Sequence, residues 1–224
     1  MPRPPKSTNP PLQERSRQTL ERMLVATEEL LETESFQDIG IHDIVQRAKA
    51  SVGSFYARFA DKDALLTALY ERYDAELPLR IERWRRKNPE PGESLQEACT
   101  WVARYLMDSF GERTHLLRAL ALHVRGDPSL ASSRTSQRRA KQHAFLEDAL
   151  LRFESEIPDA VPRRAVRTAI FLAASACRER LLFEYTPHGR AARTSRARLG
   201  RDLARMMAGY LGGPHVSGEQ GRTR

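Results

Sequence analysis

The chain has 224 residues, enough for one or two domains and a sizeable core. No apolar run is long enough to span a bilayer and no charged-then-apolar leader opens it, which excludes a membrane partner and leads to the expectation of a soluble, cytoplasmic protein. Two cysteines, Cys99 and Cys177, lie in apolar helical patterns and exclude a disulfide framework. The formal charge of +8 favours an anionic partner, yet residues 1–62 balance nine basic against nine acidic groups. The excess lies in Arg163 to Arg205, so a binding argument has to rest on local pattern and not on net charge.

Apolar residues recur at three and four spacing almost throughout, which predicts an all-α protein of about nine helices. Residues 1–12 hold Pro2, Pro4, Pro5, Pro10 and Pro11 beside Arg3 and Lys6, and read as a flexible arm. A first helix is expected from Gln13 to Glu34, with Leu20, Met23, Leu24, Thr27, Leu30 and Leu31 as its inward stripe. A second runs from Ile41 to Ala48 behind Gly40. A third, Val52 to Phe59, is capped by Ser51, and a fourth opens at Lys62 behind Asp61 and continues to Lys87. The Pro- and Gly-containing break at residues 88–92 ends it. Ser94 and Glu97 form a capping box for the fifth helix, which ends near Gly111. The sixth covers Arg113 to Val124. Asp127-Pro128 starts a seventh that reaches Ile157, Pro162 opens the eighth, and the ninth covers Thr194 to Leu211. The segment 213–224 reads as a disordered tail. The expected organisation is an arm at 1–12, a three-helix unit at 13–62, and a larger helical body at 63–212.

The segment Ile41 to Leu66 packs two short helices and a tight turn against the start of a third, the geometry that sets a helix into a DNA major groove. Ile44, Val45, Ala48, Phe55 and Phe59 face inward. Val52, Gly53, Ser54, Tyr56 and Arg58 remain outside. Gly53 lowers helix stability by roughly 1 kcal/mol relative to alanine, which makes sense if another backbone or a base edge must come close. Ser51 and Ser54 offer hydroxyls at the same end. Tyr56 and Arg58 can reach phosphates, and Lys62 sits at the positive end of the fourth helix.

The run AKASVGSFYARFADKDALL resembles the helix-turn-helix of the tetracycline-repressor (TetR) family of bacterial regulators. Tyr56, Phe59 and Lys62 stand where that family carries a Tyr-x-x-Phe-x-x-Lys run, and the similarity spans Thr19 to Tyr70. The resemblance implies that Ser51, Val52, Gly53 and Ser54 lie at base edges or adjacent phosphates. It implies that Tyr56, Arg58 and Lys62 hold backbone, that His42 touches backbone or a base, and that Arg3 and Lys6 enter a minor groove. Two positions depart from the family pattern: Lys49 and Ser35 stand where glycine is usual. Lys49 is thereby expected to adopt a left-handed backbone and to supply a phosphate contact.

For the body, the resemblance implies a small-molecule effector cavity and a homodimer formed by the last two long helices. Cavity candidates are Trp101, Tyr105, Phe110, His123, Phe145 and Phe171. Interface candidates are Ala169, Ala173, Ala176, Leu199, Leu203, Met206 and Tyr210. Periodicity alone leaves open whether these stripes serve the chain's own core. The arginines from Arg190 to Arg205 cannot share one helix face and read mostly as solvated surface. His143 and Glu147 have metal-clamp spacing but lack further ligands, and read as a pair on a solvated face. With no metal set, no phosphate loop and no nucleophile constellation, neither an enzyme nor a cofactor is expected. The sequence reading is a ligand-responsive, dimeric, nucleoid-associated regulator that represses through a palindromic operator. A helical ligand-binding or protein-interaction module without DNA reading is the alternative.

Overall fold

The computed structural model of the chain describes residues 12–89, 91–126, 133–191 and 194–213. The expected arm (apart from Leu12) and tail (apart from Gly213) lie outside these residues, with Arg3, Lys6, the Asp127-Pro128 restart and Arg193. Among the described residues there are helices and turns but no strand. The elements are α1 (Leu12–Leu31), α2 (Ile41–Arg47), α3 (Val52–Tyr56), α4 (Lys62–Ala75), α5 (Leu77–Lys87), α6 (Leu95–Gly111), α7 (Thr114–Gly126), α8 (Ser133–Leu151), α9 (Pro162–Leu182), α10 (Pro187–Ala191) and α11 (Arg196–Gly212). No helix of the described residues is long and apolar enough to cross a membrane.

Among the described residues the nine expected helices become eleven for local reasons. The fourth divides at Glu76 because Pro78 falls in the first turn of α5, and proline has no N–H to donate to the carbonyl of Asp74. A single helical turn, α10, follows α9 where the sequence reading placed only a loop. The seventh helix stops at Leu151, six residues short of the expected end, and a 3₁₀ turn at Glu154–Glu156 takes over.

The described residues fall into two compact units, within Met1–Arg72 plus Ala119–Leu130 and within Tyr73–Arg118 plus Ala131–Arg224. The boundary thus falls inside α4, ten residues beyond the expected 62/63 junction. In the first unit Met23, Leu24, Thr27, Leu30 and Leu31 of α1 are buried with Ile39, Ile44, Val45, Phe55 and Leu65. The starts of α2, α3 and α4 each have a backbone donor satisfied by a side chain. Asp43 accepts from the Gly40 N–H at 2.8 Å, Ser51 Oγ from the Ser54 N–H at 3.1 Å, and Asp61 from the Ala64 N–H at 2.8 Å.

In the second unit α6, α9 and α11 build one core with α8 packed against it. Ala165, Ala169, Ala173 and Cys177 present small side chains on α9, and Leu199, Leu203, Met207 and Leu211 fill the gaps from α11. Ala169, Ala173, Leu199 and Leu203, expected at a dimer interface, are therefore interior to this chain. Their periodicity serves two close helix crossings. Glu147, expected on a solvated face, is buried, and both its oxygens are held at 2.9 Å by Arg163 and Arg167 of α9.

Candidate nucleic-acid interface

The turn between α2 and α3 sets the reading helix. Lys49 has φ of +50°, the left-handed backbone expected of it. Its N–H donates to the Gln46 carbonyl at 3.1 Å, and the Ala50 N–H donates to the Val45 carbonyl at 2.9 Å. These two bonds form a Schellman motif, which closes α2 and turns the chain in two residues. The left-handed cost to a non-glycine residue, about 1–2 kcal/mol, is borne so that the Lys49 side chain lies exposed beside α3.

On α3, Phe55 is fully buried and meets Phe59 ring to ring at 5.4 Å, which leaves the opposite side of the helix outward. Gly53 is exposed, and a Cβ built on it would meet only Ser51 Oγ, at 3.9 Å. Nothing among the described residues requires that glycine. Tyr56 is 57% exposed and held edge-on to Phe55. Ser51 is occupied as the helix cap and shares a 2.9 Å hydrogen bond with the Ser54 hydroxyl. Val52 and Ser54 are half-buried, and His42 is exposed on the first turn of α2.

Two expected phosphate donors are committed elsewhere. Lys62 Nζ donates to the carbonyls of Phe36, Gln37 and Ile39 at 2.8, 3.1 and 2.9 Å and lies 4.8 Å from the centre of the Phe36 ring. An ammonium has three N–H donors, so none remains for a phosphate. Arg58 donates to the Ser54 carbonyl at 2.6 Å and to Ser16 Oγ at 3.0 Å, tying α3 to α1, and its Nε is buried without an acceptor. Both residues hold the reading helix in place. The acidic end of α1 is partly neutralised in the same unit: Arg72 pairs with Glu21 and Glu28, and Arg47 pairs with Glu29.

The body gathers three of the six cavity candidates. Trp101, Tyr105 and Phe145 meet at centroid separations of 5.2 and 5.4 Å, and Trp84, missed in the sequence, joins Trp101 at 4.6 Å and Tyr105 at 5.1 Å. A polar chain borders the cluster. Tyr105 Oη accepts from Gln142 at 2.8 Å, Gln142 accepts from Arg139, and Arg138 and Arg139 flank the fully buried Asp74 carboxylate. Burial pushes the Tyr105 hydroxyl above its usual pKa. Phe110 is half-buried at the core's edge. Phe171 is 63% exposed and is not a cavity residue. His123 lies in the first unit, with Nε2 3.2 Å from Thr67 Oγ1. Trp84 escaped notice because it stands in the basic run Arg83 to Lys87, where neighbouring charges mask a single inward aromatic. Among the described residues no group of three His, Cys, Asp or Glu side chains is placed to hold a metal.

A short reading helix on a clamped three-helix unit, followed by a helical body, defines a helix-turn-helix DNA-binding protein. Residues 23–69 match the family model of bacterial regulatory proteins, tetR family. Solved structures of the same fold include a TetR-family transcriptional regulator from Pectobacterium atrosepticum, 19% identical over 91% of this chain and 100% of that one, with a TM-score of 0.60. A tetR-family regulator from Streptomyces coelicolor is 22% identical over 89% of this chain and 81% of that one, with a TM-score of 0.57. The regulator FadR from Bacillus subtilis, solved with stearoyl-CoA, is 16% identical over 87% of this chain and 99% of that one, with a TM-score of 0.60. No curated protein matches the chain. The N-terminal segment is a tetR-family DNA-binding domain, and the chain as a whole has the fold of that family's regulators.

Proposed function

We propose that this protein is a ligand-responsive repressor that reads a palindromic operator as a homodimer, each copy placing α3 in one major groove. The observation that carries the reading is Gly53. It weakens an exposed helix, faces open space, and is demanded by no contact among the described residues. A glycine of this kind is explained by a surface that approaches from outside. Lys49, Tyr56 and His42 lie exposed around it to position the backbone, with Val52 and Ser54 nearest the base edges. The alternative, an interaction module that does not read DNA, is weakened by the same geometry: the Lys49 turn closes normally, and Glu28 and Glu29 are paired within the unit.

Dimerisation is assigned to the outer faces of α9 and α11, where Phe171, Leu172, Met206 and Tyr210 are 63, 44, 40 and 37% exposed. Large apolar side chains in that density favour a partner of the same kind. The effector is assigned to the body beside Trp84, Trp101, Tyr105 and Phe145, an apolar wall with one polar border that suits an apolar molecule with a single polar group. FadR, of the same fold, is solved with stearoyl-CoA, whose long apolar acyl chain suits such a wall. The effector acts on the reader through α4, whose residues belong to both units, and the coupling is reciprocal.

The deciding experiment is Gly53→Val, measured for binding to the DNA upstream of the protein's own gene against non-specific competitor. Open space at that position predicts a fold within about 0.5 kcal/mol of wild type and a loss of specific binding of tenfold or more. Binding retained at wild-type strength overturns the reading.

A further inference from the structure

A cleft of about 860 Å³ opens in the second unit between α5, the end of α6 and the first turn of α11. Its walls carry Arg80, Arg83, Arg86, Lys87 and Arg196 against the carboxylates Asp108 and Glu112. Arg80 is drawn to Glu76 at 3.8 Å and Arg86 to Glu82 at 3.2 Å. Arg83, Lys87 and Arg196 have no carboxylate partner among the described residues. Arg80, a side chain only 10% exposed, lies over the Tyr73 ring and donates to the Tyr73 carbonyl. A concave surface with three unmatched cations is built for an anion.

Two further details describe that anion. Trp84 and Met107 supply an apolar wall, and Asp108 fixes the indole by accepting its N–H at 2.9 Å. Arg196 reaches the cleft because residue 111 is glycine: a Cβ there would lie 1.6 Å from Arg196 Nη2. The guanidinium therefore rests on the backbone at the end of α6 with its donors unspent. The first turn of α11 adds the positive end of a helix dipole. Guanidinium groups match phosphate oxygens in pairs, and an indole wall matches a flat ring.

We propose that this cleft, which is distinct from α3 and shares only Trp84 with the aromatic cluster around Trp101, binds a small phosphate-bearing molecule with a planar ring. The probe is ADP, titrated calorimetrically into the full chain at about 0.15 M salt, where exposed charges are screened beyond about 8 Å, with inorganic pyrophosphate as the ringless comparison. One ADP per chain is expected, bound more tightly than pyrophosphate. Arg83→Glu with Lys87→Glu, both exposed positions, weakens it at least tenfold. Gly111→Ala, which suits a helix end and leaves the melting temperature unchanged, does the same by displacing Arg196. Arg164→Glu, on α9, and Gly53→Val leave it unchanged, so a failed DNA reading is distinguishable from a failed cleft. Absence of saturable ADP binding, or binding indifferent to the charge reversal and to Gly111→Ala, overturns the proposal.

Discussion

Lys62 shows how a single ammonium fixes a reading head. Its three N–H groups close the loop that joins α1 to α2 by donating to the carbonyls of Phe36, Gln37 and Ile39. Lys62→Met is expected to destabilise the first unit by about 2 kcal/mol, since hydrogen bonds to charged groups contribute most when their acceptors are left stranded. Chemical denaturation reads the loss. The salt slope of any remaining DNA binding should stay as in wild type, because Lys62 neutralises no phosphate; a slope reduced by about one unit would return it to the phosphate set. The thiols make a second residue-scale prediction. Burial pushes Cys99 and Cys177 from 9.0 up to about 12. Above pH 9 the unfolded chain releases these protons while the folded chain keeps them, so stability falls as pH rises from about 9 towards 12. Thermal melts across that range should show a decline that Cys99→Ala with Cys177→Ala reduces, and no decline from this source below pH 9.

At the scale of elements, α8 and α9 are joined through one buried carboxylate. Glu147 is 7% exposed in its side chain, while its partners Arg163 and Arg167 are 55 and 63% exposed. The consequence of breaking the junction depends on which side is removed. Glu147→Ala returns two arginines to water and should destabilise by about 1–2 kcal/mol. Arg163→Ala with Arg167→Ala strands a buried charge and should destabilise by about 3–5 kcal/mol. Equal losses in urea denaturation would show that water already reaches Glu147. The α4–α5 division at Glu76 belongs to this scale too. Pro78 interrupts the hydrogen-bond ladder just where Tyr73, Asp74 and Arg80 form a dense polar group, with the Arg80 guanidinium 3.8 Å from the Tyr73 ring centre. This break and the boundary between the compact units both fall in the last turns of α4 or just beyond it.

For the whole molecule the outstanding surface is the apolar face on α9 and α11. Phe171→Glu removes the most exposed of its large side chains and leaves the chain's own core untouched, because that ring contributes nothing to it. Sedimentation should show the proposed dimer weakened about thirtyfold, the effect of losing a hot-spot contact worth about 2 kcal/mol. An unaltered dimer would move the interface to another face. Leu203→Arg cannot serve this purpose: Leu203 is 4% exposed and the substitution would damage the core first.

What the sequence determined by itself was local. The three-helix reader, its caps at Ser51 and Asp61 and the outward Gly53 all follow from capping chemistry and 3.6-residue spacing, which neighbouring residues enforce; the left-handed Lys49 followed from the family resemblance, in which glycine is usual at that position. The all-α class followed from the same periodicity. Tertiary structure alone decided what each side chain touches. Lys62 and Arg58 look like phosphate ligands until distant segments, the 36–39 loop and Ser16, claim their donors. Ala169, Ala173, Leu199 and Leu203 have the spacing of an interface, but helical periodicity gives a buried face and not its occupant, and here the occupant is the same chain. Phe171 shares α9 with Ala169 and Ala173, yet its place on the turn sends it outward. Trp84 and the cleft beside it were hidden for the converse reason: surface charge dominates the pattern of α5, and only the packing of α6 and α11 against one another turns its basic residues into the wall of a cavity.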